Sequence, residues 1–348
     1  MLSKIGKITA LVANSLTAFP ETLPAFGRDP YMKGSGSLDP SALIESMGSE
    51  ERKAIFELQT EILKVMTRRL VEKGFVWILP IMLARSTDPL WPDPGASIEK
   101  RVEVAIYGKT VRTMQSMIIH KRALVSLGPD RFFTLSPNIR IEKRERAKTG
   151  RHLYEFTQLE VEIVDATIED IFKIFEELIK ASIIAVKKTS PTSLEILKRD
   201  LSVPETPFPV CRRSDLEEKY GKGWENNISE KSVSPIWVTD IPREFYDYED
   251  EATGEWRNFD LFLPEGYGEV ISGAEREYEY ERIRRKLERD GLRKEDYDIL
   301  LRLAKDGRLR PSAGAGLGIE RFVGYVCGVA HVAEVQPFPR IPGLIPEL

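Results

Sequence analysis

The chain has few cysteines, few amides and no long apolar run, and each shortage excludes something. Only Cys211 and Cys327 occur in 348 residues, and they lie far apart. Two distant thiols make neither a disulfide framework nor a pair at metal-ligand spacing, and they suit a reducing cytosol. No apolar stretch approaches the roughly 20 residues that cross a bilayer. Lys4 and Lys7 precede ITALVANSLTAF, but no small-x-small cleavage site follows, so a secretory leader is not expected. The net charge of −4 gives no bulk attraction for nucleic acid. No G-x-G-x-x-G opens a helix after an early strand, so no Rossmann domain is expected. Asn occurs only at 14, 138, 226, 227 and 258, and Gln only at 59, 115, 158 and 336.

What is present is charge and core. Charged residues make up 30% of the chain, and with so few amides this is the composition expected of a thermophile. A hydrophobic content of 42% suffices for a large core in one domain or two small ones. Residues 1–48 hold scattered Pro and Gly, including KGSGS, and are expected to be an extension or linker. Ser49 is placed to cap a helix whose first residues are Glu50 and Glu51. Ile55, Leu58, Ile62, Met66 and Leu70 follow at helical spacing, and Gly74 is a natural stop. FVWILP, 75–80, then reads as a strand.

Further strands are expected at 102–107, 110–115, 131–136, 138–145, 152–163, 235–240, 257–263 and 268–274. Helices are expected at 117–127, 168–188, 275–289, 294–306 and 317–328. Hairpin-like strands with helices bunched between them point to an α+β fold, an antiparallel sheet flanked by helices. The Pro-rich stretch 189–234 is expected to be an insertion on a single large domain, 49–348.

Three segments carry chemistry. NIRIEKRERAKTGRHLYEF runs from Asn138 to Phe156, GEVISGAERE from Gly268 to Glu277, and SAGAGLGIER from Ser312 to Arg321. A glycine-rich run alone is weak. Taken in order, the three resemble motif 2, the metal and amino-acid segment, and motif 3 of the class II aminoacyl-tRNA synthetase family, in its aspartyl/asparaginyl branch. The helix at 50–73 and the strand ending at Pro80 resemble motif 1, which implies a homodimer.

The resemblance implies ATP and Mg²⁺ as cofactors and assigns roles. Arg140 meets the α-phosphate, where a guanidinium offers two parallel N–H donors. Glu142, Arg151, His152 and Leu153 complete the ATP set. Phe156 stacks on adenine and Arg321 lies on its other face, with Gly318 beside it. Glu269 bridges the metal and the phosphates, assisted by Ser272 and Asp260. Arg276, seven positions after Glu269 (276 − 269), grips the substrate side chain. Arg140, Arg321 and Glu269 form the expected catalytic set.

Lys121, 19 positions before Arg140 (140 − 121), matches the Lys with which aspartyl enzymes pair the substrate β-carboxylate. Gln115 joins the amino-acid set. Ile118 departs from the Gln usual in aspartyl enzymes, and Asp88, in the loop STDPLWPDPG, could hold the α-amino group instead.

The segments before residue 50 and after Arg321 hold no recognisable anticodon-binding domain. With DPLWPDP, RHLYEFTQLE and EVQPFPRIPG, the whole pattern resembles the archaeal asparagine synthetases related to asparaginyl-tRNA synthetase. The resemblance therefore implies a cytoplasmic, AMP-forming aspartate–ammonia ligase using aspartate, ATP and ammonia, without tRNA and away from membranes. Two alternatives are a compact synthetase that charges tRNA and a non-catalytic paralogue that senses aspartate or binds a partner.

Overall fold

A computed structural model describes residues 40–90 and 98–345. Most of the extension expected over 1–48, and residues 91–95 of the 86–95 loop, lie outside the described residues. In chain order the elements begin with α1 (Pro40–Gly48), α2 (Glu50–Glu72), β1 (Val76–Trp77), β2 (Leu83–Ala84), β3 (Ile98–Lys100), β4 (Glu103–Ile106) and β5 (Lys109–Thr113). Next come α3 (Ile118–Leu127), β6 (Arg131–Ile139), β7 (Ile141–Glu142), β8 (Glu155–Val164), α4 (Ile168–Thr189) and α5 (Pro191–Ile196). They are followed by β9 (Val210–Arg212), α6 (Arg213–Tyr220), α7 (Trp224–Lys231), β10 (Ile236–Thr239) and β11 (Asn258–Leu263). The last are β12 (Gly268–Glu275), α8 (Tyr280–Arg289), α9 (Asp298–Lys305), β13 (Ser312–Gly318) and α10 (Ile319–Cys327).

The main sheet has eight strands in the order β1-β6-β8-β13-β12-β11-β10-β9. Its inner pairings are antiparallel, and only the two edge pairs, β1 with β6 and β9 with β10, are parallel. This is the α+β architecture expected from the strand pattern.

Side-chain alternation decides which face is core. In β8, Leu159, Val161 and Ile163 join the main apolar cluster, as do Ala313, Ala315 and Leu317 of β13. Helices α2, α4 and α10 cover that face with Leu58, Ile62, Phe175, Ile179, Phe322 and Val326. As expected, Ser49 caps α2: its hydroxyl accepts from the Arg52 N–H at 3.1 Å. The opposite face carries Phe156, Gln158, Glu160 and Glu162, four polar or aromatic residues in register. A second apolar cluster, from α3, α8, α9 and Phe245–Tyr246, stands over part of that face.

Several boundaries differ from expectation, most of them where strand pairing decides. The strand expected over 138–145 is broken up, and only Ile141–Glu142, β7, forms a separate short strand there, paired with β3. Strand β6 runs on to Ile139, paired with β8 as far as Ile139 opposite Glu155, and residues 144–149 form a 3₁₀ turn. The strand at 75–80 shortens to two residues, because only Val76 and Trp77 find partners, in Phe132 and Phe133. The helix expected from 275 starts at Tyr280, because β12 continues to Glu275 and Arg276 bridges to Asp247. The helix expected at 294–306 opens as a 3₁₀ turn, 294–297, before α9. Within 189–234, β9 joins the sheet edge and α7 packs on β12.

Candidate active site

The glycine-rich run is a strand. Its glycines 314 and 316 face Glu162 and Glu160 across the β13–β8 ladder. A Cβ at Gly314 would stand 2.0 Å from the Glu162 carboxylate, and one at Gly316 2.9 Å from the Gln158 amide. The missing side chains thus make room for β8 residues. At Gly318 an added Cβ would meet only Arg321, at 3.7 Å or more. The motif therefore serves strand packing at two of its positions.

Two cavities lie over this face. One is lined by Arg140, Glu142, Arg151, His152, Leu153, Phe156, Gly318 and Arg321, the set expected to hold ATP. The other is lined by Asp88, Lys121, Arg276 and Ser272 of the expected amino-acid set, with Ile118 beside them and without Gln115. They share Arg140, Gln158 and Glu269.

On the ATP side, the Arg140 guanidinium lies over the Phe156 ring at 5.2 Å, and its Nε donates to the Gln115 carbonyl at 3.0 Å. Gln115 thus enters the site through its backbone. Arg321 donates to the Arg151 carbonyl at 3.1 Å and the Glu269 carbonyl at 2.8 Å. Arg151 donates to the Asn226 side chain of α7 at 3.0 Å. It slides under Gly268, where φ is +75° and a Cβ would sit 2.0 Å from its guanidinium.

Burial, reinforced by Arg321, Arg146, Arg151 and Arg140, pushes the His152 imidazole down to about 2, so it is neutral. It accepts from Arg146 at 2.8 Å, which leaves its Nδ1–H for the Thr149 hydroxyl at 2.6 Å. Glu142 is buried, which raises its carboxyl above the usual range. Burial also pushes Glu320, whose carboxylate accepts from the Thr157 N–H, up to about 7.

On the amino-acid side the cations already have partners. Lys121 is 1% exposed, and its Nζ donates to Glu160 at 2.6 Å and lies 3.5 Å from Glu162. Arg276 pairs with Glu162 at 3.2 Å and Asp247 at 3.1 Å, and donates to the Gly314 carbonyl at 2.9 Å. Asp88 is buried, and its carboxylate accepts from the Leu90 N–H at 2.8 Å. Burial, reinforced by Asp88 and Asp247, raises the Glu244 carboxyl well above its usual range.

Glu269 owes its direction to a bulge in β12. Asp260 pairs with Ser272 and Leu261 with Ile271, but Phe262 pairs with Glu269. The extra residue turns Glu269 toward the same face as Ser272. Its side chain is 41% exposed, and its only ion pair among the described residues is a loose one with Arg321 at 3.7 Å. A part-exposed carboxylate beside a cavity lined by Arg140, Arg151 and Arg321 fits a hard divalent cation. Asp260 and Ser272 do not fit one in this arrangement, because Arg243 donates to both. Burial raises the Asp260 carboxyl to about 7 despite Arg243, with Glu269 adding to the rise. Among the described residues no group of three or more His, Cys, Asp or Glu has metal-holding geometry.

Sequence reasoning missed Arg243, Glu160, Asp247 and Asn226. Alternation in β8 could have found Glu160. Nothing in the sequence around 226 or 243 marks the other three as site neighbours.

A family model described as tRNA synthetases class II (D, K and N) matches residues 43–342. The asparagine–tRNA ligase of Thermus thermophilus is 32% identical over 317 residues, 83% of this chain and 69% of that protein. The asparagine–tRNA ligase of Thermococcus gammatolerans is 28% identical over 309 residues, again 83% and 69%. Among solved structures, the asparaginyl-tRNA synthetase from Pyrococcus horikoshii complexed with asparaginyl-adenylate superposes with a TM-score of 0.78 at 26% identity. That match covers 87% of this chain and 73% of the other.

These relatives correct two expectations. Ammonia-dependent asparagine synthesis, and with it the exclusion of tRNA as a partner, gives way to a likeness to tRNA ligases. Both expectations rested on what the sequence lacks at its two ends. A core that makes an adenylate looks the same whichever acceptor follows, so those ends could not decide the acceptor.

Proposed function

We infer function from membership: the chain belongs to the class II tRNA synthetases of the D, K and N type. We propose that it condenses ATP with an amino acid of the aspartate–asparagine pair to an aminoacyl-adenylate, releasing pyrophosphate, and passes the aminoacyl group to a tRNA end, releasing AMP. The supporting observation is that the two cavities meet at Arg140, Gln158 and Glu269. A carboxylate in one cavity would then face an α-phosphorus in the other.

In this reading a carboxylate oxygen bonds to the α-phosphorus and pyrophosphate leaves. Arg140, anchored on the Gln115 carbonyl, takes the charge that grows on the α-phosphate. Arg151 and the loop held by neutral His152 face the outer phosphates. Phe156 and Arg321 flank the base, which requires Arg140 to give up the Phe156 face it covers. Mg²⁺ at Glu269 would supply charge neutralisation and phosphate alignment.

For the amino acid we propose aspartate, because Lys121 and Arg276 converge on one buried pocket. Asparagine is the second reading, favoured by the carboxylates that already compensate both cations. ATP–pyrophosphate exchange with each amino acid decides between them, and charging of purified tRNA tests the acceptor. Exchange with neither amino acid would refute the reading.

We also propose a homodimer. Trp77, Leu79, Ile81, Met82 and Leu83 are exposed apolar side chains in the segment after α2. A run of this kind suits a second copy of the chain. No helix among the described residues is long and apolar enough to cross a membrane.

A further inference from the structure

The chain after β7 reaches the first cavity without a helix or strand of its own. Residues 144–149 form a 3₁₀ turn, and Gly150, at φ +70°, leads into Arg151 and His152, which line that cavity. The turn rests on the stretch after α10, residues 331–344. Ala147 and Leu153 share an apolar cluster with Val332, Ala333, Ile341 and Leu344. The Val332 N–H donates to the Gly150 carbonyl at 2.8 Å, and the Tyr154 N–H to the Arg340 carbonyl at 2.8 Å. Gly343, at φ +84°, packs so closely that a Cβ there would stand 2.9 Å from Arg144 Cγ. The same stretch is tied to α2, where Arg52 donates to the Glu334 and Gln336 carbonyls.

His331 joins stretch and turn through its side chain, which is buried with the residue at 1% exposure. Its Nε2 lies 3.1 Å from the Ala147 carbonyl, and its Nδ1 lies 3.0 Å from the Ala333 backbone nitrogen. A carbonyl can only accept and an amide N–H can only donate. Nε2 therefore carries the hydrogen and Nδ1 accepts, so one neutral tautomer satisfies both partners. The Nδ1 contact is local and caps the short turn 332–334. The Nε2 contact crosses 184 positions to the turn that precedes Arg151.

We propose that His331 is a positioning residue for the triphosphate. By holding the Ala147 carbonyl it fixes the turn from which Arg151 and His152 enter the first cavity. The proposal rests on the reading of that cavity as the ATP site. Neither His331 nor the turn lines the amino-acid cavity, so the effect is confined to the nucleotide side.

Three variants separate the two ring contacts. H331N places an oxygen where Nδ1 stands, so it keeps the cap and loses the tether. H331Q places an amide nitrogen near Nε2, so it keeps the tether and loses the cap. H331A loses both. Each is compared with wild type by thermal melting, by ATP–pyrophosphate exchange and by limited trypsin digestion at Arg144 and Lys148, which are exposed on the turn. H331N should melt like wild type, be cut faster on the turn and show a KM for ATP raised about tenfold, the size of one buried hydrogen bond. Its KM for the amino acid should not change. H331Q should melt lower, yet keep its cleavage rate and KM for ATP within about twofold of wild type. H331A should melt lower and share the raised KM of H331N. A wild-type KM for ATP in H331N, or a KM that follows melting temperature across the variants, would overturn the proposal. So would an H331N that does not fold, since the tether would then hold the fold and not the turn. Should H331Q or H331A not fold, H331N alone decides. Trypsin digestion uses no nucleotide. A wild type without exchange would thus remove the activation reading, while faster cleavage of H331N would still support the tether and unchanged cleavage would overturn it.

Discussion

Lys121→Leu separates a substrate-binding role from a structural one. The substitution removes the 2.6 Å partner of Glu160, which among the described residues keeps only the Ser116 hydroxyl at 3.2 Å. Glu162 keeps Arg276. Leaving a buried charge without its partner costs about 3–5 kcal/mol, so the melting temperature should fall clearly. If Lys121 also meets the substrate carboxylate, kcat/KM for aspartate should drop by about two to three orders of magnitude, at ~1.4 kcal/mol per tenfold. Adding Glu160→Gln tells the two effects apart. The double variant no longer buries an orphan carboxylate, so most of the stability should return, while aspartate-dependent exchange should not. Thermal melts and ATP–pyrophosphate exchange on the wild type, both single variants and the double variant complete the cycle. Recovery of exchange together with stability would show that Lys121 only holds the fold. Near-normal exchange in Lys121→Leu would remove the main support for aspartate.

Other outcomes follow from single contacts. Arg140→Lys cannot both reach the Gln115 carbonyl and offer two parallel donors, so exchange should fall by about 10²–10³, as for loss of one transition-state donor; an unchanged rate would refute the α-phosphate role. Asn226→Ala should raise the KM for ATP and leave that for the amino acid alone, because it frees Arg151, and Asn226→Asp should restore it. Glu320 should make stability depend on pH. Its carboxyl is raised from 4.5 to about 7, so its contribution is complete below about 4.5 and is lost as pH rises through 7. That loss is on the order of 3 kcal/mol, from ~1.4 kcal/mol per pH unit over the shift, and wild type should weaken relative to Glu320→Gln between pH 5 and 8. Leu79→Asp should turn a dimer into a monomer by light scattering, whereas a wild-type monomer would sink the interface assignment.

The parts of the fold that bury a periodic face were legible in the sequence. Leu58, Ile62 and Phe175 declared α2 and α4 by spacing, and Ser49 declared the cap. The alternation of Leu159, Val161 and Ile163 with polar residues declared β8. Less was legible where a long-range partner decides. The 3₁₀ turn at 144–149 follows two pairings that the local sequence does not show, β6 with β8 up to Ile139 and β7 with β3. The bulge that aims Glu269 is a mismatch between two strands, and neither strand shows it alone. Lys121 was recognisable as a site residue, but its pairing with Glu160 joins residues 39 positions apart. Arg243 sits in the long connection between β10 and β11, residues 240–257, with no helical or strand periodicity.

Strand β8 also behaves as a ruler. Phe156, Gln158, Glu160 and Glu162 face one way at every second position, with Phe156 in the first cavity at one end and Glu160 in the second toward the other. At about 3.4 Å per residue, Phe156 and Glu162 are held roughly 20 Å apart by backbone geometry alone. Inserting one residue between them would turn one end of the row into the core and the other toward substrate. Inserting two would keep both ends facing correctly but separate them by roughly 7 Å more. The chain can therefore change what it binds at either end by substitution, but the distance between the two ends is fixed by the strand. Ligands of a different span would need a different strand, or a bulge of the kind that already re-aims Glu269.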